Sequence, residues 1–192
     1  MKIGVLAIQG DFIRHQAILT RLHIDNVPVK NSTDLNSCEG LIIPGGESTT
    51  FVKLLKAFHL FSSLKEFGSN KVVMGTCAGL ITLAKKVPNL AHETLNLIDI
   101  EVERNAYGRQ IDSFIDDVKL MINNDNAIFE GVFIRAPKII KIGEGVKPLA
   151  YHHKNIVMAE NEHILVSTFH PELTDDSRIH EYFLKKVKEL QR

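Results

Sequence analysis

Gly75-Thr76-Cys77-Ala78-Gly79 sets a thiol between small residues, directly after the strand-like segment Lys71 to Met74. A nucleophile on a sharp strand-to-helix turn is held in strained backbone geometry. Small flanking residues let the following helix approach the neighbouring strands. The side chain then projects past the carboxyl end of the sheet, where open α/β folds bind ligands. A helix amino terminus behind it favours the thiolate, the reactive form of cysteine. Taken alone, the pattern fits either a catalytic cysteine or a buried cysteine at a tight turn. The other cysteine, Cys38, lies in the polar stretch Asn36-Ser37-Cys38-Glu39 and has no comparable context.

A thiolate needs a base, and the base needs an orienting group. Among nine histidines, His170 stands out in Phe169-His170-Pro171-Glu172, at the end of the apolar run Ile164 to Phe169. In extended backbone, residues i and i+2 share a side. His170 and Glu172 can therefore meet, one ring nitrogen on the carboxylate and the other facing a thiol. The competing reading is a strand-end histidine beside a solvated glutamate. His152-His153 reads as a polar turn whose adjacent rings point to opposite faces, which is poor metal geometry. His15, His23, His59, His92, His163 and His180 read as surface or boundary residues. No Cys/His spacing resembles a zinc site.

Pro44-Gly45-Gly46-Glu47-Ser48 ends another apolar run. Two glycines expose backbone N–H groups of the kind that stabilise a developing oxyanion. A phosphate cradle is the competing use, but no G-x-x-x-x-G-K-[ST] pattern is present.

These pieces need a scaffold, and the first half of the chain supplies one. Ile3 to Ile8, Val27 to Val29, Gly40 to Ile43 and Lys71 to Met74 read as strands. Between them, Phe12 to Leu22, Thr50 to Phe58 and Ala78 to Lys86 read as helices, with Ser48 as a helix-start signal. Strand-helix alternation implies right-handed βαβ units and a mainly parallel sheet. The second half reads as strands with little helix between them: Ile100 to Arg104, Val118 to Ile122, Gly131 to Ile134, Ile139 to Ile142, Ile156 to Ala159 and Ile164 to Phe169. These are expected to be antiparallel additions to the sheet. Asp176 to Leu190 reads as a closing helix with Ile179, Tyr182, Phe183, Val187 and Leu190 on one face. The expected fold is a three-layer α/β sandwich, with residues 1–192 as a single domain.

Composition excludes several classes. Apolar residues make up 44% and charged residues 24%, a globular balance rather than a disordered one. Lys and Arg number 23 and Asp and Glu number 23, which removes the usual electrostatic reason to expect nucleic acid. Two cysteines form no disulfide framework. No stretch approaches the ~20 apolar residues of a membrane span, and the start of the chain lacks a leader pattern. A reducing cytoplasm is the expected compartment.

Together the Cys77, Gly45-Gly46 and His170-Glu172 segments resemble those of triad, class I glutamine amidotransferases. Further segments are more specific: Ile3 to Gly10, Val102 to Gln110, Asp112-Ser113-Phe114 and Gly131 to Pro137. With Phe169 to Thr174 they resemble the glutaminase subunits of pyridoxal 5′-phosphate synthases, from Met1 to the final helix. A cysteine peptidase of related fold often has histidine directly after the elbow cysteine, where this chain has Ala78.

The resemblance implies hydrolysis of L-glutamine to L-glutamate and ammonia. The ammonia would pass to a separate (β/α)₈-barrel synthase within a large hetero-oligomer. It further implies that Cys77 is the nucleophile, His170 the base and Glu172 the orienting group. Gly46, Glu47, Ser48, Arg104, Ile134 and Arg135 would contact glutamine. The backbone at Gly46 and Ala78 would form the oxyanion hole, and Gln9 and Gly10 would lie near the synthase. Neither cofactor nor metal is implied.

Overall fold

A computed structural model describes residues 1–104, 113–122 and 127–191. The sequence segment Asn105 to Gln110 and Asp112 lie outside the described residues.

Four strands of the first half are parallel, and their order follows from burial on both faces. β1 (Lys2–Leu6) lies between β2 (Asp25–Val29) and β3 (Gly40–Ile43), and β3 pairs with β4 (Val72–Thr76). All residues of β3 and β4 are buried, the continuous apolar signature of a parallel strand covered on two sides. Alternate side chains divide between the two faces. Ile3, Val5, Ile42, Val72 and Met74 join one core; Leu6, Leu41, Ile43 and Val73 join the other.

Helices cover both faces. The first core is closed by α1 (Phe12–Arg21) and, later in the chain, α6 (Arg178–Leu190), through Leu19, Phe183 and Val187. The second is closed by α3 (Ser48–Ala57), α4 (Phe61–Asn70) and α5 (Ala78–Leu83), through Phe51, Leu64 and Leu80. Two helices carry weaker sequence signals. The short α2 (Ser32–Asn36) is capped by Asn31, whose side chain accepts from the Asp34 N–H at 2.9 Å. α4 has Ser, Gly and Asn among its ten residues, and packing of Leu64 and Phe67 outweighs their low propensity.

The second half extends the sheet as expected and adds something more. β12 (Ile164–Ser167) joins β4 in parallel, and β11 (Asn155–Glu160), β10 (Lys147–His152), β7 (Ser113–Leu120) and β8 (Ala127–Ile134) follow antiparallel. The order of this nine-stranded sheet is β2-β1-β3-β4-β12-β11-β10-β7-β8. β5 (Ala84–Lys86), β6 (Ile98–Glu103) and β9 (Lys138–Ile142) form a separate small sheet, so not every later strand is added to the main one. The expected helix Ala78 to Lys86 therefore stops at Leu83. Lys85 and Lys86 pair with Asp99 and Glu101 at 2.9 and 3.0 Å, and Pro88 favours extended backbone before it.

Two smaller expectations also change. The α3 cap is Glu47, not Ser48: its carboxylate accepts from the Thr49 N–H, and Ser48 is the first helical residue. In α6, Leu184 joins the buried face, whereas Leu190, in the last turn, is exposed.

Close approach of α5 to the sheet rests on Gly79. A Cβ there would stand 2.2 Å from the Ile43 carbonyl oxygen. Gly79→Ala should destabilise the fold by roughly 1–3 kcal/mol through overpacking against backbone. The urea midpoint measures this, and an unchanged midpoint would show that α5 and β3 separate freely.

Candidate active site

Three neighbouring parallel strands end side by side, and each delivers one part of the site. Thr76 is in register with Ser167, and Ile43 with Gly75. Cys77 therefore follows β4 at the same level at which Pro44-Gly45-Gly46 leaves β3 and Thr168-Phe169-His170 leaves β12. Cys77 adopts φ 48° and ψ −103°, a conformation costing of order 1–3 kcal/mol in an L-residue. Its N–H is anchored on the Ser167 carbonyl at 2.9 Å, and α5 starts at the next residue.

His170 is fixed at both ends. Its backbone N–H donates to the Val132 carbonyl of β8 at 2.9 Å, and its Nδ1 lies 2.7 Å from Glu172 Oε1. The i, i+2 contact arises differently from the extended geometry expected. Pro171–Leu173 is a 3₁₀ turn, whose tighter coil brings the carboxylate back under the ring. Gly45 lies against the other side of the imidazole: a Cβ there would be 2.4 Å from His170 Cε1 and 3.3 Å from Cys77 Cβ. The glycine turn is thus in contact with both thiol and ring.

Electrostatics separate the two groups behind the thiol. Burial opposes a charge on His170, but its hydrogen bonds with Cys77 and Glu172 lift it to about 10. Burial would also raise Glu172, yet His15 and His170 hold it at about 2. An imidazolium facing a thiol and backed by a carboxylate can donate a proton to a leaving group. By contrast, burial raises the Cys38 thiol, which donates to the Asp34 carbonyl at 3.2 Å.

A cavity of about 370 Å³ opens above Cys77 and His170. Gly46, Glu47, Ser48, Arg104, Ile134 and Arg135 all line it, as does Gly10. Ile134 ends β8, and its carbonyl is 3.9 Å from Cys77 Sγ. Arg135 follows in left-handed backbone, with φ 41°. Arg104 Nη1 is buried without a hydrogen-bond partner among the described residues, a vacant donor suited to a carboxylate. Gln9 Nε2 donates to the Glu47 carbonyl at 2.8 Å, which ties the segment after β1 to the glycine turn. Ala78 opens α5, where first-turn N–H groups have no intrahelical acceptor.

The SNO glutamine amidotransferase family matches residues 5–189. The chain belongs to that family. It is 52% identical over 190 residues to a protein of Solibacter usitatus (strain Ellin6076) named "Pyridoxal 5'-phosphate synthase subunit PdxT", covering 97% of this chain and 99% of that one. A protein of the same name from Thermosipho africanus (strain TCF52B) is 47% identical, over 98% and 100% of the two chains. The crystal structure of a glutamine amidotransferase superposes with TM-score 0.91 at 40% identity, covering 97% and 98%. The resemblance of the motifs and the α/β fold are both borne out by these relatives.

Sequence reasoning missed two residues that pack behind this candidate site. His15 and His180, expected at the surface or a boundary, are both fully buried. His15 Nδ1 lies 3.0 Å from His180 Nε2, and His15 Nε2 lies 3.4 Å from Glu172 Oε2. The helical period of α1 and α6 could have placed them inward, but their types argued against burial. His152 and His153 also differ from expectation. Their Nε2 atoms both face Asp116 Oδ2, at 2.9 and 3.7 Å, because His153 takes φ 52° in the hairpin turn. A metal on His152 Nε2 would leave a proton on Nδ1, which is buried without a partner among the described residues. The arrangement is read as an Asp–His hydrogen bond closing the β10–β11 turn.

Burial and then the neighbouring His15 push His180 down to about 3. The unfolded chain therefore takes up this proton first as pH falls below ~6.5, and stability falls with it. Between pH 7 and 5 the His180 contribution is about 2 kcal/mol. His170 acts in another window: its stabilisation is complete below ~6.5 and is lost as pH rises through about 10. Urea unfolding at pH 7 and pH 5 should show a loss smaller by about 2 kcal/mol in His180→Leu than in the unmodified chain. Equal losses would mean that His180 is protonated in the folded protein.

Proposed function

We propose that this chain hydrolyses L-glutamine to L-glutamate and ammonia through a γ-glutamyl thioester on Cys77, and supplies the ammonia to a (β/α)₈-barrel synthase that makes pyridoxal 5′-phosphate. The whole chain, residues 1–192, acts as one amidotransferase domain within a hetero-oligomer, in the reducing cytoplasm. The observation that carries the reading is the strained Cys77 facing a His170 that is backed by Glu172, under a cavity lined by Arg104, whose Nη1 has no hydrogen-bond partner among the described residues. The full-length similarity to proteins named as pyridoxal 5′-phosphate synthase subunits supports the destination of the ammonia.

The reaction follows from these groups. The Cys77 thiolate attacks the carboxamide carbon, and the carbonyl electron pair moves to oxygen. Backbone N–H groups around Gly46 and Ala78 receive that oxyanion. When the tetrahedral species collapses, the C–N bond breaks and His170 supplies a proton, so the nitrogen leaves as ammonia. Water then attacks the thioester, His170 takes one of its protons, and the C–S bond breaks to release glutamate. Arg104 and Arg135 hold the substrate α-carboxylate beside Glu47, Ser48 and Ile134. Gln9 and Gly10 form part of the synthase contact.

Cys77→Ala should abolish ammonia release from glutamine while leaving the circular-dichroism spectrum unchanged, and an electrophilic glutamine analogue should label Cys77. Labelling at Cys38 would sink the assignment. The double variant His170→Asn with Glu172→Gln should be little slower than His170→Asn alone, since groups acting as a unit are non-additive. Additive losses in kcat would give Glu172 a separate task. The Gly45-Gly46 turn also makes activity partner-dependent. Synthase bound near Gln9 shifts the turn toward the orientation that presents its donor. A missing oxyanion donor costs ~3 kcal/mol. Saturating glutamine should therefore be turned over about a hundredfold faster with a barrel synthase than without it. Equal kcat values would defeat this gating and leave the triad assignment untouched.

A further inference from the structure

The proposed triad uses only one oxygen of Glu172. Oε1 meets His170, whereas Oε2 is buried without a conventional hydrogen-bond partner among the described residues and faces His15 Nε2 at 3.4 Å. Thr76 Oγ1, directly before the nucleophile, lies at the same 3.4 Å from that nitrogen. His15 comes from α1 and His180 from α6, so two helices on one face of the sheet close on the back of the triad.

Charge and contact geometry assign both tautomers. An ionised carboxylate oxygen 3.4 Å from a ring nitrogen repels a lone pair there, so His15 carries its proton on Nε2, where the Thr76 hydroxyl oxygen can also accept. Its Nδ1 must then accept, and the partner 3.0 Å away, His180 Nε2, must donate. The chain ends at His180 Nδ1, which is buried without a partner among the described residues and in this assignment bears a lone pair rather than an unpaired N–H. Protonating either ring would place an extra N–H where no acceptor stands. The charged groups around the pair are Glu172, His170 and Asp11 about His15, and Glu172 and Arg21 about His180. Burial dominates over them and lowers both rings, which are neutral near pH 7.

We propose that His15 and His180 are positioning residues for glutamine hydrolysis: His15 holds Oε2 of Glu172, and His180 fixes the His15 tautomer that does so. The carboxylate plane is thereby set from behind, and with it the ring of His170. Neither residue lines the substrate cavity. The inference rests on the reading of Cys77, His170 and Glu172 as a triad.

The test compares the full-length chain with His15→Leu, His15→Gln and His180→Leu. Leucine fills the buried space without a donor; glutamine places an N–H near the former Nε2. Two readouts are used: the pH profile of Cys77 alkylation by iodoacetamide, which needs no partner, and kcat and KM for glutamine with a barrel synthase. His15→Leu should alkylate roughly tenfold more slowly at pH 7, with its profile moved to higher pH, because a misplaced imidazolium supports the thiolate less. Its kcat should fall by about tenfold to a hundredfold while KM stays within about twofold, since only the reacting geometry is disturbed. His15→Gln should recover most of both losses, and His180→Leu should show a smaller loss of the same kind. A folded His15→Leu with an unshifted profile and an unchanged kcat would overturn the proposal, as would His15→Gln behaving like His15→Leu. If His15→Leu does not fold, a folded His180→Leu with an unshifted profile and kcat overturns it instead. A His170→Asn control with the unmodified chain's profile would sink the triad itself, and this inference with it.

Discussion

A carboxylate with 3% exposure has to be partnered from every side that water would have occupied, and Glu172 imposes that demand on the rest of the structure. Removing one partner from a buried charge typically costs 3–5 kcal/mol. His170 occupies Oε1 and His15 faces Oε2, so the same carboxylate ties the 3₁₀ turn after β12 to helix α1. His15 and His170 hold the carboxyl low, and hydrogen bonds with Cys77 and Glu172 lift the imidazole.

The sheet makes that demand affordable by supplying rigid starting points. β3, β4 and β12 are adjacent, parallel and wholly buried, and their carboxyl ends lie in register. Packing of this kind resists small displacements, because interiors are as dense as organic crystals. The strain at Cys77 persists for the same reason. Its N–H is pinned to Ser167, and Gly79 two residues on lets α5 press against the Ile43 carbonyl.

The antiparallel half has a different role: it walls the cavity. β8 ends at Ile134 beside the thiol, and its Val132 carbonyl receives the His170 N–H. The small sheet ends β6 just before Arg104, which lines the same cavity as the thiol. Residues distant in sequence thus surround one cavity, where the nucleophile is presented from the parallel side and the cationic groups from the antiparallel side.

The elbow at Cys77, the glycine turn at Gly45-Gly46 and the pairing of His170 with Glu172 were legible in the sequence because each is a local pattern. Small residues around a thiol, two glycines after an apolar run, and a base two positions from a carboxylate all depend on near neighbours. The strand-helix alternation of the first half was legible for the same reason, since periodicity reports which faces are covered. What the sequence did not disclose is non-local. His15 and His180 are 165 positions apart, and nothing near either one announces a partner. Polar residue types argue for the surface unless a matching group waits inside, and only the docking of α1 and α6 onto the same face supplies it. The departure of β5, β6 and β9 into their own sheet and the turn of His153 toward Asp116 have the same origin. Local patterns set which chemistry each segment can offer. Tertiary packing alone decided which distant buried polar groups would meet, because the cost of an unpaired one is settled by whatever the fold brings within a few ångströms of it.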